Sequence, residues 1–414
     1  GAPPRAASGP GPRAGAGGGA GGGALLPFDA PAVILRRDGG AEPAAWRMGS
    51  CSGKAAQTKE DVAERDRRKL SATKAEKAAR DARADPRAGF KSAGDGSILD
   101  LFPNARVRAS LCGVSMETTQ KGFSDKTTAK GGEDLPAAFR IGYACKKGLK
   151  PESPNQDDFC IFNIDNVSIL GVFDGHGPYG HDISSFVQMH LPRRFVQDPN
   201  FHEDPEKALA TAFSETHRLC TESQVEGHFD CALSGTTATL AMHRDGFVYL
   251  GYVGDCRAVL ARKEGNELMS EDLTVDHKPT REGERRRIQA AGGQVKRLEG
   301  DIPYRVFLSG KMYPGLTMTR SIGDTLGATA GVTSTPDVRS VKVQKDWRFM
   351  LVCSDGIWEF INTQEAVDII ARHSAADVQK AAESLASEAW NRWIQEENNV
   401  VDDITVIVIW FKEE

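Results

Sequence analysis

Short apolar segments joined by tight turns recur from residue 159 to the C-terminus. Residues 159–164 and 167–173 flank the two-residue turn Asp165-Asn166. Segments rich in aromatic and β-branched residues are typical of strands, and so short a turn pairs two strands antiparallel. The segment 182–196 instead has the apolar spacing of a helix. We therefore predict an α+β fold of antiparallel strands with helices layered outside them.

The same patterns place the remaining elements. The turn Arg244-Asp245-Gly246 indicates another antiparallel pair. No repeat of fixed period is visible, which argues against a solenoid or a propeller. Further strands are predicted at residues 236–242, 247–253, 257–261, 349–353 and 404–411, and helices near 205–223, 281–291, 363–373 and 376–395.

Composition excludes several classes of protein. A net charge of -5 over 414 residues leaves no sustained basic face for a nucleic acid, so we expect no nucleic-acid partner. Eight cysteines without a C-x-x-C pair suggest neither a zinc site nor a disulfide framework. The apolar stretch at residues 24–35 contains Asp29 and two prolines and is too short to span a bilayer. We expect a cytoplasmic monomer, with a nuclear location also open.

Three regions differ in composition. Residues 1–47 are a low-complexity mixture of Gly, Ala, Pro and Arg and are predicted to form a disordered leader. Residues 48–135 form an N-terminal extension, in which the charged segment 58–85 is predicted to be a solvated helix. Residues 136–414 carry the strand and helix patterns and are predicted to form the compact domain.

The segment that begins at Met48 resembles an acylated amino terminus. Gly49 and Cys51 are placed as in proteins that carry a myristoylated Gly and a neighbouring palmitoylated Cys. The usual signal has Ser or Thr where this chain has Gly53, so a flexible Gly/Ser linker is an open alternative. Two acyl chains together would anchor the protein at the cytoplasmic face of a membrane.

Acidic residues mark the ends of several predicted strands. Asp174 ends an apolar strand and is followed by Gly175 and His176, and a plain strand-ending turn is one explanation of this motif taken alone. Carboxylates that converge in one place repel one another unless a cation compensates, and oxygen ligands suit Mg²⁺ or Mn²⁺. Three other acidic residues stand at comparable positions, namely Asp157, Asp355 and Asp402.

Eight short motifs occur in a fixed order. They are Asp174-Gly175-His176-Gly177, Ser234-Gly235-Thr236-Thr237-Ala238, Gly254-Asp255-Cys256-Arg257, Asp276-His277-Lys278-Pro279, Ala290-Ala291-Gly292-Gly293, Thr319-Arg320-Ser321-Ile322-Gly323-Asp324, Ser354-Asp355-Gly356-Ile357-Trp358 and Asp402-Asp403-Ile404-Thr405-Val406. In order and spacing, residues 137–412 resemble the metal-dependent serine/threonine protein phosphatases of type 2C. The resemblance implies a sandwich of two antiparallel β-sheets flanked by helices.

The resemblance also implies a two-metal site and a reaction. A metal-activated water would hydrolyse phosphoserine and phosphothreonine in protein substrates without a covalent phosphoenzyme. His176 would protonate the leaving oxygen. Two Mg²⁺ or Mn²⁺ ions would be held by Asp174 as the bridge, by Asp157 and the Gly175 carbonyl on one side and by Asp355 and Asp402 on the other, with Asp255 and Asp355 available to a third, weaker ion.

Two positions depart from the family pattern. Gln156 stands where many members have Glu, and Gln can still order metal-bound water. The phosphate-binding Arg of many members is replaced by Lys146, Lys147 and Lys150, of which we choose Lys150. An ammonium supplies charge without the bidentate fork of a guanidinium, so we expect weaker phosphate binding.

Three further interpretations were weighed against the residues. Cys256 and Arg262 have the C-x₅-R spacing of cysteine-based phosphatases, but the residues between them resemble an apolar strand rather than a phosphate cradle. A catalytically weak binding module on the same fold is the main alternative function. The basic run at residues 281–287 lies where the family carries a flap beside the cleft, and it would either select phosphopeptides by charge or form a solvated helix face.

Overall fold

The computed structural model of the chain describes residues 97–115, 121–132, 139–150, 154–299 and 303–411. The predicted disordered leader, the charged helix at 58–85, and Gly49 and Cys51 lie outside the described residues, so these remain predictions. Within the described residues, no helix is both long and apolar enough to cross a membrane.

The described chain alternates between strands and helices. The strands are β1 (Arg108–Gly113), β2 (Thr128–Gly132), β3 (Ile141–Lys146), β4 (Asp157–Ile164), β5 (Val167–His176), β6 (Gly235–Thr236), β7 (Ala238–Arg244), β8 (Phe247–Val253), β9 (Arg257–Glu264), β10 (Glu267–Asp272), β11 (Gln294–Arg297), β12 (Tyr304–Phe307), β13 (Pro314–Leu316), β14 (Ile322–Gly323), β15 (Asp337–Lys342), β16 (Trp347–Cys353) and β17 (Ile404–Trp410). The helices are α1 (Gly180–Gln197), α2 (Pro205–Val225), α3 (Glu282–Ala290), α4 (Thr325–Ala328), α5 (Asp355–Trp358), α6 (Thr363–Ala371) and α7 (Val378–Glu397), with 3₁₀ turns at Ile98–Leu101 and Ala375–Asp377.

Two large antiparallel sheets organise these strands. The nine-stranded sheet has the order β15-β8-β7-β5-β4-β1-β2, and β6 and β14 are added beyond the end of β5. The five-stranded sheet has the order β10-β9-β16-β17-β3. All pairings between the named strands are antiparallel, as the tight turns predicted.

The two large sheets and the helices on their outer faces form four layers, and an apolar cluster fills each of the three spaces between them. Phe159 and Val172 of the larger sheet meet Val352 and Ile407 of the smaller sheet in the space between the two. A second cluster fills the space between the larger sheet and α1 and α2, and a third lies between the smaller sheet and α6 and α7. Because successive strand residues point to opposite faces, each strand of a sheet covered on both sides contributes to two of these clusters. The predicted α+β sandwich flanked by helices is confirmed.

A small third sheet stands apart from the sandwich. It consists of β11, β12 and β13 and packs with α3 around its own apolar cluster, in which Ile288, Val306 and Leu316 take part. We call residues 281–318, which contain these elements, the flap.

The compact domain begins before the predicted boundary at residue 136. β1 pairs with β4, with Leu111 opposite Ile161, and β2 extends the same sheet. The predicted boundary is therefore too late. Sequence patterning missed it because β2, with the sequence TAKGG, carries no apolar alternation and takes its place in the sheet from hydrogen bonds to β1.

Candidate active site

Strand alternation brings two acidic side chains into the space between the large sheets. Phe159 on β4 and Val172 on β5 point into that space. Because the side-chain period of a strand is two, Asp157 and Asp174 point to the same side as these neighbours. The two acidic residues lie directly opposite each other in the β4–β5 register.

The facing sheet holds Asp157 in place. One carboxylate oxygen of Asp157 accepts hydrogen bonds from Ser354 Oγ and Thr405 Oγ1, each at 2.7 Å. Ser354 follows the end of β16 and Thr405 lies near the start of β17. The buried Lys126 donates to the main-chain carbonyl of Asp157, so a residue upstream of the predicted domain boundary also supports the site.

The acidic side chains strongly perturb one another. Burial and the nearby Asp403 raise the pKa of the Asp157 carboxyl to about 8. Burial and the charge of Asp402 raise the pKa of Asp355 to about 7, against which a hydrogen bond with Asp174 acts. The pKa of Asp174 is raised well above its ordinary value by burial and by Asp355 and Asp157. The structure therefore brings these sequence-predicted carboxylates close enough for their charges to act on one another.

The donor set fits hard divalent cations. Among the described residues, no three His, Cys, Asp or Glu side chains are already grouped as a ready-made metal cluster. The fit rests instead on charge and chemistry, since clustered carboxylate oxygens that repel one another are the ligands that Mg²⁺ and Mn²⁺ prefer. Asp174, Asp355 and Asp402 are partly exposed and so line the cleft, whereas Asp157 is buried behind them.

Asp255 lies among the same carboxylates and forms an ion pair with Lys278. It follows β8, is buried, and contributes to the raised pKa values of Asp174 and Asp355. Its Oδ2 atom pairs with the ammonium of Lys278, whereas its Oδ1 atom has no hydrogen-bond partner among the described residues. Although burial alone would raise the pKa of Asp255, Lys278 holds it below its ordinary value.

His176 is held by Asp324, a residue for which sequence patterns predict no role. Its Nε2 atom lies 2.6 Å from Oδ2 of Asp324, which is fully buried and also accepts a hydrogen bond from Ser321. Burial alone would lower the pKa of His176, but Asp324 raises it above its ordinary value. Asp324 ends one of the eight motifs, and that position was the only signal of it in the sequence.

Close packing explains the residues around Asp174. A Cβ atom at Gly175 would collide with the main-chain oxygen of Gly180, so only glycine fits there. Gln156 donates from Nε2 to the Gly177 carbonyl at 2.7 Å, and thereby joins the start of β4 to the end of β5. The backbone that presents the carboxylates is therefore tightly fixed.

Comparison with known proteins gives these residues a context. A family model described as protein phosphatase 2C matches residues 156–397, more than half of the chain. The chain belongs to this family. Probable protein phosphatase 2C 35 of Arabidopsis thaliana is 35% identical over 294 residues, which cover 65% of this chain and 82% of that protein. Probable protein phosphatase 2C 44 of Oryza sativa subsp. japonica is 30% identical over 308 residues, or 74% of this chain and 86% of that protein.

The three-dimensional fold also resembles that of a solved type 2C phosphatase. The serine-threonine phosphatase 2C from Toxoplasma gondii superposes with a TM-score of 0.58 and 22% identity over 73% of this chain and 99% of that one. As a member of this family, the present chain is a metal-dependent serine/threonine phosphatase that acts on phosphoproteins. No finding favours the alternative of a catalytically weak binding module.

Three lysines were considered as the phosphate-binding cation, and the structure separates them. Lys146 pairs with Asp125 at 2.6 Å. Lys147 is buried and pairs with Asp403 at 3.2 Å. Lys150 pairs with Asp402 and is partly exposed, and this carboxylate raises its pKa even though burial acts in the opposite direction. Of the three, Lys150 is the one placed beside a cleft carboxylate.

The two neighbouring aspartates near the C-terminus have different surroundings. Asp403 is buried and accepts hydrogen bonds from the main-chain nitrogens of Gly148 and Gln156, each at 2.7 Å. Asp402 is the partly exposed member of the pair. Asp403 therefore ties β3, β4 and β17 together, which leaves Asp402 facing the cleft.

The spacing from Cys256 to Arg262 does not form a phosphate cradle. Arg262 and the residues between it and Cys256 belong to β9, and Arg262 pairs with Glu264 at 3.1 Å. Cys256 is buried, and burial raises the pKa of its thiol well above the ordinary value. The predicted apolar strand between Cys256 and Arg262 is confirmed.

Proposed function

We propose that the carboxylate cluster of this phosphatase binds two divalent ions, Mg²⁺ or Mn²⁺. The observation that carries the proposal is the position of Asp157 opposite Asp174 in the β4–β5 register, where burial and the neighbouring carboxylates raise the pKa values of Asp157, Asp174 and Asp355. The residues that would hold the two ions are Asp174, Asp157 and Asp355, together with Asp402 and the Gly175 carbonyl, and Asp255 with Asp355 would be available to a third, weaker ion. The ions supply the positive charge that activates an attacking water and stabilises the phosphoryl group.

The remaining side chains orient the substrate and move a proton. Nε2 of His176 is occupied by Asp324, whereas its Nδ1 atom has no hydrogen-bond partner among the described residues. The imidazolium form of His176, which Asp324 stabilises, would supply the proton to the departing serine or threonine oxygen. The Lys150 ammonium, next to Asp402, supplies positive charge for the phosphate.

The test is hydrolysis of a phosphothreonine peptide by wild type and Asp174→Asn, with Mn²⁺ or Mg²⁺ and with EDTA. We expect activity only in the wild type with metal. Asp272→Asn, which alters an exposed carboxylate at the end of β10, is the matched control and should behave as wild type. Equal hydrolysis in all conditions would contradict the proposed metal site.

We further propose acylation of Gly49 and Cys51, and with it attachment of a monomeric enzyme to the cytoplasmic face of a membrane. The motif that follows Met48 supports this proposal. The test is the intact mass of protein made from Met48 together with an N-myristoyltransferase. An unmodified Gly49 would contradict the proposal, and sedimentation of the same protein tests the monomer.

A further inference from the structure

The flap begins and ends at the catalytic cleft. At its start, Lys278 pairs with Asp255. At its end, the chain returns through Thr319, whose main-chain nitrogen donates to His277 at 2.7 Å, and then reaches Asp324, the partner of His176. A substrate bound at the cleft therefore has the flap as its neighbour.

The flap is basic in a chain that is acidic overall. Residues 281–318 contain eight Lys and Arg against four Asp and Glu, whereas the whole chain has a net charge of -5. Ion pairs within the structure neutralise part of this charge, since Glu282 pairs with Arg286 and the buried Glu284 with Arg287. The basic residues of the flap that are exposed and make no ion pair among the described residues are Arg281, Arg285, Lys296, Arg297 and Lys311. Of these, Arg281 donates to the main-chain carbonyls of Val275 and Asp276.

The hairpin of the flap places like charges against each other. Lys296 on β11 lies directly opposite Arg305 on β12, so both side chains point to the same face of the small sheet. Like charges in this position destabilise a strand pair. Arg297 follows at the exposed end of the same strand, opposite the exposed Tyr304.

From this charge pattern we propose that the flap binds acidic residues that flank the phosphorylated serine or threonine. The inference rests on the phosphatase activity of the chain. It narrows the preferred substrates to phosphorylated serines and threonines that have acidic neighbouring residues. Arg285, Lys296, Arg297 and Lys311 attract the flanking carboxylates, while the phosphate itself lies at the acidic metal site. The cleft carboxylates repel acidic residues of a substrate, and a basic surface beside the cleft offsets that repulsion. Complementary charge therefore favours a substrate with acidic residues around its phosphorylated serine or threonine.

The experiment compares two phosphothreonine peptides of equal length, one with Glu and one with Gln at the flanking positions. The readout is the ratio of kcat/KM for the acidic peptide to kcat/KM for the neutral peptide. For the wild type we expect a preference of about tenfold, the effect of two or three exposed ion pairs, which weakens as NaCl is added. In Lys296→Glu/Arg297→Glu the ratio should fall to about one or below.

A second double variant controls for total charge. Lys207→Glu/Lys342→Glu changes the net charge by the same amount at exposed positions outside the flap, on α2 and β15, and should keep the wild-type ratio. Thermal unfolding checks that the flap variant is folded.

Three outcomes would overturn the inference. If the wild type hydrolyses both peptides with equal kcat/KM, the flap does not select acidic flanks, although the phosphatase activity stands. If it hydrolyses neither these peptides nor an aryl phosphate with Mn²⁺, the proposed metal chemistry fails as well. Binding to phosphatidylserine vesicles that the flap variant loses, with an unchanged peptide ratio, would assign the basic surface to a membrane instead.

Discussion

The imidazole of His176 and the carboxylate of Asp324 meet at 2.6 Å, although 148 residues separate them in the chain. Asp324 is fully buried and has a left-handed backbone conformation, with φ at 47°, at the start of α4. Its second oxygen has no hydrogen-bond partner among the described residues. A buried carboxylate in this position fixes both the ring orientation of His176 and the nitrogen that carries the available proton.

Asp324→Asn should lower kcat for a phosphothreonine peptide by about 100-fold, the lower range for loss of general acid catalysis. Asparagine tolerates the left-handed backbone, so the fold should persist. The loss should be much smaller for p-nitrophenyl phosphate, whose leaving group departs without a proton. Because Asp324 raises the pKa of His176, the alkaline limb of the pH–kcat profile should also move to lower pH.

Asp377→Asn is the matched control, since Asp377 is a partly exposed aspartate immediately before α7. It should leave both substrates and the pH profile unchanged. Equal losses on the peptide and on p-nitrophenyl phosphate in Asp324→Asn would show that Asp324 supports the fold and not proton donation.

The pairing of His176 with Asp324 illustrates what sequence patterns can and cannot predict. Alternation along β4 and β5 predicts that Asp157 and Asp174 stand at strand ends, because that pattern is local. The contact with Asp324 depends on the flap returning to the larger sheet through β14, and neither β14 nor α4 is long enough to leave a periodic pattern. Only the order of the motifs pointed to that position.

The strands likewise divide into those that sequence patterns predict and those that they miss. Strands buried on both faces, such as β4 and β16, are nearly continuous apolar runs and were predicted within two residues of their bounds. The strands that were missed include β2, β10 and β15, which lie at sheet edges and carry polar residues. Hydrogen bonds to a neighbouring strand fix these edges, and a single sequence does not display that pairing.

Asp355→Asn should make the metal-free protein more stable while abolishing metal-dependent activity. Burial and its acidic neighbours raise the pKa of Asp355 from 3.8 to about 7, so the folded state binds more protons than the unfolded state between these values. Stability is then lost as pH rises through this window, and a neutral side chain avoids the loss. In EDTA at pH 8, the melting temperature should rise by a few degrees, the shift that about 1–2 kcal/mol produces in a domain of this size.

The melting temperature in the presence of Mn²⁺ distinguishes the effect of charge repulsion from the effect of metal binding. The wild type should gain about 2.7 kcal/mol when the free ion is at about 100 times its Kd. Asp355→Asn should gain much less, and Asp272→Asn should follow the wild type. If Asp355→Asn melts lower than the wild type in EDTA, the carboxylate stabilises the fold and the proposed repulsion is wrong.

Lys150→Ala should lower kcat/KM for a phosphothreonine peptide by about 10- to 100-fold, the cost of one hydrogen bond to a charged group. The effect should fall mainly on KM, because the ammonium contributes to phosphate binding before the chemical step. Lys150→Arg should retain or improve activity, since a guanidinium can engage phosphate bidentately. Lys146→Ala, in which the lysine beside Asp125 is removed, is the control, and a loss equal to that of Lys150→Ala would contradict the assignment.

Glu284→Gln should loosen the attachment of the flap. The carboxylate of Glu284 is buried and binds Arg320 at 2.7 Å and Arg287 at 2.8 Å. Burial alone would raise its pKa, but hydrogen bonds from Arg320 and Arg287 hold the pKa well below its ordinary value. Removing one partner of a buried ion pair leaves the others uncompensated, so the variant should lose about 3 kcal/mol of unfolding free energy at pH 7.

The pH dependence of that loss follows from the direction of the shift. A carboxyl with a depressed folded-state pKa stabilises the protein above its unfolded pKa of about 4.5 and loses that contribution as the pH falls further. The difference between wild type and Glu284→Gln in urea denaturation should therefore shrink below pH 4. Glu282→Gln is the control on the same helix, because the pair of Glu282 and Arg286 is largely exposed and contributes little. Equal losses in the two variants would show that the flap is held by its apolar cluster around Ile288 and not by Glu284.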